Sequence, residues 1–113
     1  QGQLNEAALL AFANAGKYEE TVVALSLMAS SSIQLIAALM KSDRSDGLLV
    51  ACKAAGLKWP TVGAVLKSRI SHHDIPDSEL TQARASFLTL SQPTALRTLR
   101  FWQVRIGVSE EGR

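Results

Sequence analysis

The chain has 113 residues, a formal net charge of +2, and a composition that is 47% apolar but only 5% aromatic. This length suits one domain able to bury somewhat over ~60% of its unfolded surface, with a core of Ala, Leu and Val that favours closely packed helices. A single cysteine, Cys52, excludes an internal disulfide and a cysteine-based metal cage, and the best apolar run, residues 33–40, is broken by Gln34 and too short to span a bilayer.

Helices are expected nearly throughout. The first starts behind Asn5 as N-cap and stops at Gly16, a residue suited to a left-handed helix end. The second runs from about Tyr18 to Ala29, with Tyr18, Val22, Leu25 and Ala29 on one face and Glu19 and Glu20 in the first turn, where they complement the helix dipole. Ser31 with Gln34 reads as a capping box for a third helix, which carries Ile33, Ile36, Leu39 and Met40 inward and stops near Ser42. Asp43 or Ser45 caps a fourth helix reaching Gly56, and Trp59 with Pro60 opens a fifth, where a proline at the first position costs no hydrogen bond. Its buried face is Val62, Val65 and Leu66. The segment 71–77, SHHDIPD, reads as a loop. Asp77 is expected to cap a sixth helix through Leu80, Ala83, Phe87 and Leu90. Ser91 caps a last helix ending about Ile106, followed by a frayed tail.

One text recurs 40 residues apart. LLAFANAGKYEETVVAL from Leu9 aligns with LVACKAAGLKWPTVGAV from Leu49, and seven of seventeen positions are identical, among them Ala15/Ala55, Gly16/Gly56, Thr21/Thr61 and Val22/Val62. That period belongs to the HEAT and armadillo range, in which helical hairpins bury their apolar faces against neighbouring units. The expectation is an all-α domain of about seven HEAT/armadillo-like stacked helices, one domain over 1–113 with units about 4–42 and 43–106. Cys52 takes the slot of Phe12 in this alignment, which predicts a packed, inert thiol.

The last helix has two characters. Ala95, Leu99, Trp102 and Ile106 fall on one stripe, an ordinary core face. The opposite side carries Arg97, Arg100 and Arg105 with Phe101 and Val104 between them, a mixture typical of interface centres. These five residues are the candidate partner-binding set. The partner is expected to be another protein, the remainder of the same chain, or a second copy.

The ending LTLSQPTALRTLRFWQVR, with its Thr-Ala-x-Arg-x-Leu-Arg-Phe-Trp-x-x-Arg core from Thr94 to Arg105, and the earlier LLVACKAAGLKWPTV from Leu48 resemble the domain-of-unknown-function 2336 family, found mainly in alphaproteobacteria. The resemblance is good over Leu48 to Arg105 and looser before it. It implies a helical-repeat protein of the bacterial cytoplasm and brings neither a reaction nor catalytic residues. Members of the family are usually longer, which together with the start at Gln1 implies a C-terminal piece of a longer protein.

Charge is segregated. Residues 1–46 hold three Lys/Arg against five Asp/Glu, whereas 47–113 hold nine against five. Lys53, Lys58, Lys67, Arg69 and Arg84 form the basis of an alternative reading as a nucleic-acid-binding module, although no helix-turn-helix recognition pattern, phosphate loop or stacked-aromatic signature accompanies them. An enzyme would have to draw on His72, His73, Asp74, Asp77 and Glu79. Adjacent histidines in an extended loop point apart, and Asp77 and Glu79 have helix-start roles. The reading is therefore a non-enzymatic interaction or regulatory module with no cofactor, metal or membrane span.

Overall fold

The computed structural model describes residues 5–42, 45–68 and 76–111, with side chains of the last helix described as far as Arg105. Among the described residues the chain is all-α: α1 (Glu6–Asn14), α2 (Tyr18–Ala29), α3 (Ile33–Lys41), α4 (Asp46–Ala54), α5 (Trp59–Lys67), α6 (Asp77–Thr89) and α7 (Gln92–Glu111). Helix α7 overruns the expected stop near Ile106. A lone Gly107 costs a helix only about 1 kcal/mol, and no proline follows it to break the chain. No helix among the described residues is long and apolar enough to cross a membrane.

Local chemistry accounts for most helix ends. The Asn5 side chain accepts the Ala8 N–H at 2.9 Å and starts α1. At the other end, Gly16 at φ +73° lets its N–H reach the Ala13 carbonyl while the Lys17 N–H reaches that of Phe12. Forty residues on, Gly56 at φ +79° repeats the pattern, donating to Lys53 while Leu57 donates to Cys52. The identical stretches of the two hairpins therefore code for the same turn.

Three local expectations are corrected. The cap of α3 is Ser32, whose hydroxyl accepts the Leu35 N–H at 3.1 Å, so Ser31 and Gln34 form no capping box. Ser31 is drawn away because its hydroxyl donates to Gln103 of α7. Ile33 is 52% exposed, since it opens α3 before the first covered positions, Leu35 and Ile36. Asp77 lies inside the first turn of α6 behind an N-cap at Pro76, where its charge favours the helix dipole without capping. The N-cap of α4 is Ser45, whose side chain makes no capping hydrogen bond; Asp43 lies outside the described residues.

Helix α4 is the centre of the molecule. Leu48, Leu49, Ala51, Cys52 and Ala54 are all buried, and at 100° per residue they occupy most of its circumference. A helix apolar nearly all round must be enclosed, and α4 touches α2, α3, α5, α6 and α7. Its most extensive packing is with α7, not with its hairpin mate α5, which lies instead on α1. In the first hairpin α1 does pack on α2. Two similar texts thus occupy different surroundings.

The contact of α1 with α5 carries a polar tie. Helix α5 has Lys58 at its N-cap, which supplies no capping side chain of its own. The missing acceptor comes from Glu6 of α1, whose Oε2 takes the Lys58 N–H at 2.8 Å and the Thr61 hydroxyl at 2.7 Å. Charge-assisted bonds to a helix start combine capping with dipole stabilisation. Replacing Glu6 by Ala should cost about 1–2 kcal/mol and lower the melting temperature by several degrees. Glu6→Gln, which keeps an acceptor, should lose less; a Glu6→Ala variant that melts with the wild type would refute the tie.

Cys52 is fully buried in α4, and burial pushes its thiol up from 9.0 to about 12. Because the thiolate is the nucleophile, the native protein should resist alkylation at pH 8 and react fully in denaturant. The sign of the linkage is also defined. Below pH 9 both folded and unfolded forms keep the proton, so the contribution is intact; between about 9 and 12 only the unfolded chain ionises, and stability falls. A Cys52→Ala variant should lack that part of the alkaline loss, which pH-dependent denaturant titrations would measure.

Candidate functional site

Helix α7 is oriented by three attachments. At its start Gln92 Nε2 donates to the Ala54 carbonyl of α4 at 3.2 Å, while Ser91 caps the helix locally by accepting the Thr94 N–H at 3.3 Å. Ala95 and Leu99 are buried in the core, and Trp102 is partly buried beside them. Trp102 also faces the start of α4, where a Cβ at Gly47 would stand at an ordinary contact distance of 3.7 Å from Trp102 Cζ3 but only 2.7 Å from Leu39 Cδ2 of α3, so the missing side chain makes room chiefly for α3. The third attachment is Gln103, whose Oε1 accepts the Ser32 N–H at 2.8 Å and the Ser31 hydroxyl at 3.1 Å. It holds the α2–α3 turn, in which Ser30 adopts a left-handed φ of +57° that a non-glycine residue takes only at a cost.

With two sides of α7 committed, the rest faces outward. Arg97, Arg100, Phe101, Val104 and Arg105 are all exposed. Phe101 is 57% and Val104 60% exposed, so neither serves the core. Arg97, Phe101 and Val104 step by four and three along one ridge, with Arg100 and Arg105 flanking it. The Arg105 guanidinium lies 5.6 Å from the Phe101 ring centroid, a cation–π spacing that holds the two side chains together. All five residues of the candidate set therefore share one exposed surface.

The basic set of the alternative reading is less coherent. Lys67 and Arg84 line one cleft of about 420 Å³ between α1, α5 and α6, with Trp59, Leu10 and Leu80 among its walls. Lys53 is half-buried, its ammonium 4.0 Å from the Phe87 ring centroid. Phe87 in turn meets Trp59 with ring centroids 6.0 Å apart. Lys53 thus carries out a packing role at the α4–α6 contact. Lys58 is exposed, and Arg69 lies outside the described residues.

His72, His73 and Asp74 also lie outside the described residues, while Asp77 and Glu79 are exposed in the first turn of α6. Among the described residues no group of three His, Cys, Asp or Glu side chains is placed to hold a metal ion.

A second surface is absent from the sequence-derived set. On α2, Glu20, Val23 and Leu27 lie opposite the buried Val22, Leu25 and Ala29. Val23 is 40% and Leu27 62% exposed. Beside them, Phe12, Glu19, Glu20, Val23 and Ala24 line a shallow groove of about 410 Å³. The same signal that marks α7, apolar residues left over opposite a complete core stripe, was present here. Glu6 and Gln103 were likewise missed, because a polar side chain bonding across 52 or 71 residues leaves no local pattern.

No curated protein and no solved structure matches this chain. A family model does, over residues 1–100. The chain belongs to that family, described as uncharacterised protein conserved in bacteria (DUF2336).

Proposed function

We propose that this chain is a non-enzymatic interaction module of the bacterial cytoplasm, built on HEAT-like helical hairpins, that binds a protein partner through the outer ridge of α7. The observation that supports the reading is the exposure of Phe101 and Val104 among three arginines on a helix fixed at two other faces. Phe101 acts as the apolar anchor, and the guanidinium groups pair with carboxylates around the partner's receiving pocket. Exposed aromatic and aliphatic side chains gain most from burial, whereas rim arginines give orientation and salt dependence.

One observation favours nucleic acid as a second reading. Lys67 and Arg84 share a cleft with Trp59, which offers cations beside an aromatic wall. The engagement of Lys53 with Phe87 weakens that reading, because it removes one of its cations from the open surface.

The chain used as bait in a bacterial lysate, with and without nuclease, separates the two. A polypeptide retained after nuclease treatment and lost with Phe101→Asp is the expected result. That substitution lies on an exposed position and should change stability by no more than about 0.5 kcal/mol. Retention undiminished by Phe101→Asp overturns the α7 reading, as does cooperative unfolding of the variant at a much lower temperature. Retention that collapses on nuclease treatment replaces it with nucleic-acid binding.

A further inference from the structure

Two exposed surfaces of this molecule are complementary. The α7 ridge presents Phe101 and Val104 among Arg97, Arg100 and Arg105, with no acidic residue anywhere between Leu80 and Ser109. The α2 surface presents Val23 and Leu27 beside a groove whose charged lining is Glu19 and Glu20 alone. Each has an apolar centre and charge of a single sign, and the signs are opposite. We propose that the partner of the α7 ridge is a second copy of this chain, whose groove between Phe12 and Val23 receives Phe101 while its Glu19 and Glu20 pair with the arginines. This rests on the reading of α7 as a docking ridge and names its occupant.

Several features direct the contact between molecules rather than within one. The groove is formed by α1 and α2, whereas α7 packs on α4 and α3. Gln103 fixes α7 to the turn at the far end of α2, some residues beyond the groove-lining Glu19, Glu20 and Val23, so the ridge cannot swing into the groove of its own chain. The segregation of charge along the sequence has the same sense: an acidic first portion and a basic remainder in a chain of only +2 overall. Two copies therefore meet without strong net repulsion, and opposed patches steer the encounter. Because ridge and groove are different surfaces, the contact is heterologous. It extends into a ring or a chain unless its rotation is twofold, when it closes as a pair with two such contacts.

The test is sedimentation or light-scattering mass at rising protein concentration in low salt. The wild-type mass should climb above the 12.2 kDa of one chain and return towards it when salt is added. Phe101→Ser removes the anchor but leaves the groove, and Val23→Lys blocks the groove but leaves the ridge, with Glu20→Lys as a second groove variant. Each should be monomeric alone and melt close to the wild type. An equimolar mixture of a ridge variant and a groove variant should form a one-to-one complex, because one intact contact survives. A wild type that stays monomeric at every concentration overturns the proposal, as does a mixture that remains monomeric or self-association that both classes of variant leave unchanged. If the wild type is monomeric yet still retains a lysate polypeptide in a Phe101-dependent way, the second copy fails as partner while the α7 reading stands.

Discussion

The enclosure of α4 is the constraint on which the rest of the structure depends. A nine-residue helix that touches five others can be accommodated only if its surface is apolar in most directions and its side chains are small where neighbours come closest. Ala51, Cys52 and Ala54 supply small side chains and Leu48 and Leu49 larger ones, and all five are buried. Both ends of α4 are fixed as well. Gly47 admits Leu39 at the start, with Trp102 at ordinary contact distance beside it, and Gln92 Nε2 donates to the Ala54 carbonyl at the finish at 3.2 Å. Helix α7 supplies a partner at each end, so its rotation about its own axis is determined by α4. That rotation is what sends Phe101 outward.

Polar ties complete what apolar burial leaves loose. Hydrophobic contact is non-directional and tolerates sliding of one helix along another, whereas a hydrogen bond at 2.7–2.8 Å does not. Glu6 connects α1 to the start of α5, and Gln103 connects α7 to the turn between α2 and α3. Both act on backbone N–H groups that a helix or turn would otherwise leave unpaired. The repeated text shows how such ties differentiate similar units. Thr21 and Thr61 are equivalent and both buried, but the hydroxyl of Thr21 donates to Lys17 one turn back within its own hairpin, and that of Thr61 to Glu6 in another.

Signals carried within one helical turn were legible in the sequence; relations between helices were not. Asn5, Gly16, Pro60 and the bounds of α2 follow from capping, left-handed glycine and apolar spacing, each decided by neighbours a few residues away. Ser31 and Asp77 were misplaced because two or more adjacent residues could cap, and the choice was made by a distant residue or by a proline one position earlier. The exposed face of α7 could be read because a full core stripe, Ala95, Leu99 and Trp102, leaves Phe101 without a place inside. The equivalent remainder on α2 is harder to read, because Val23 and Leu27 stand without an aromatic or arginines beside the strong stripe of Val22, Leu25 and Ala29. What periodicity could not convey was that α4 would turn to α7 and leave α5 to α1. Pairing among helices depends on which apolar faces complement one another in shape, and similar faces recur throughout this chain.

A ridge that is rigid before it meets a partner loses little freedom on docking. Long side chains usually surrender rotamer entropy at an interface, and that loss offsets much of the contact energy. Here the backbone of α7 is held by α4 and by Gln103, and the Phe101 ring is already accompanied by Arg105. The apolar anchor and one of its flanking charges are thus arranged together on an ordered helix, which favours binding by a surface of modest area. For the proposed docking ridge, the anchored backbone of α7 sets Phe101 and Val104 one turn apart, so a partner would need an apolar pocket with carboxylates within reach of the arginines around it. The groove of α2, with Glu19 and Glu20 beside Phe12 and Val23, is one surface of that kind, and every copy of the chain carries it.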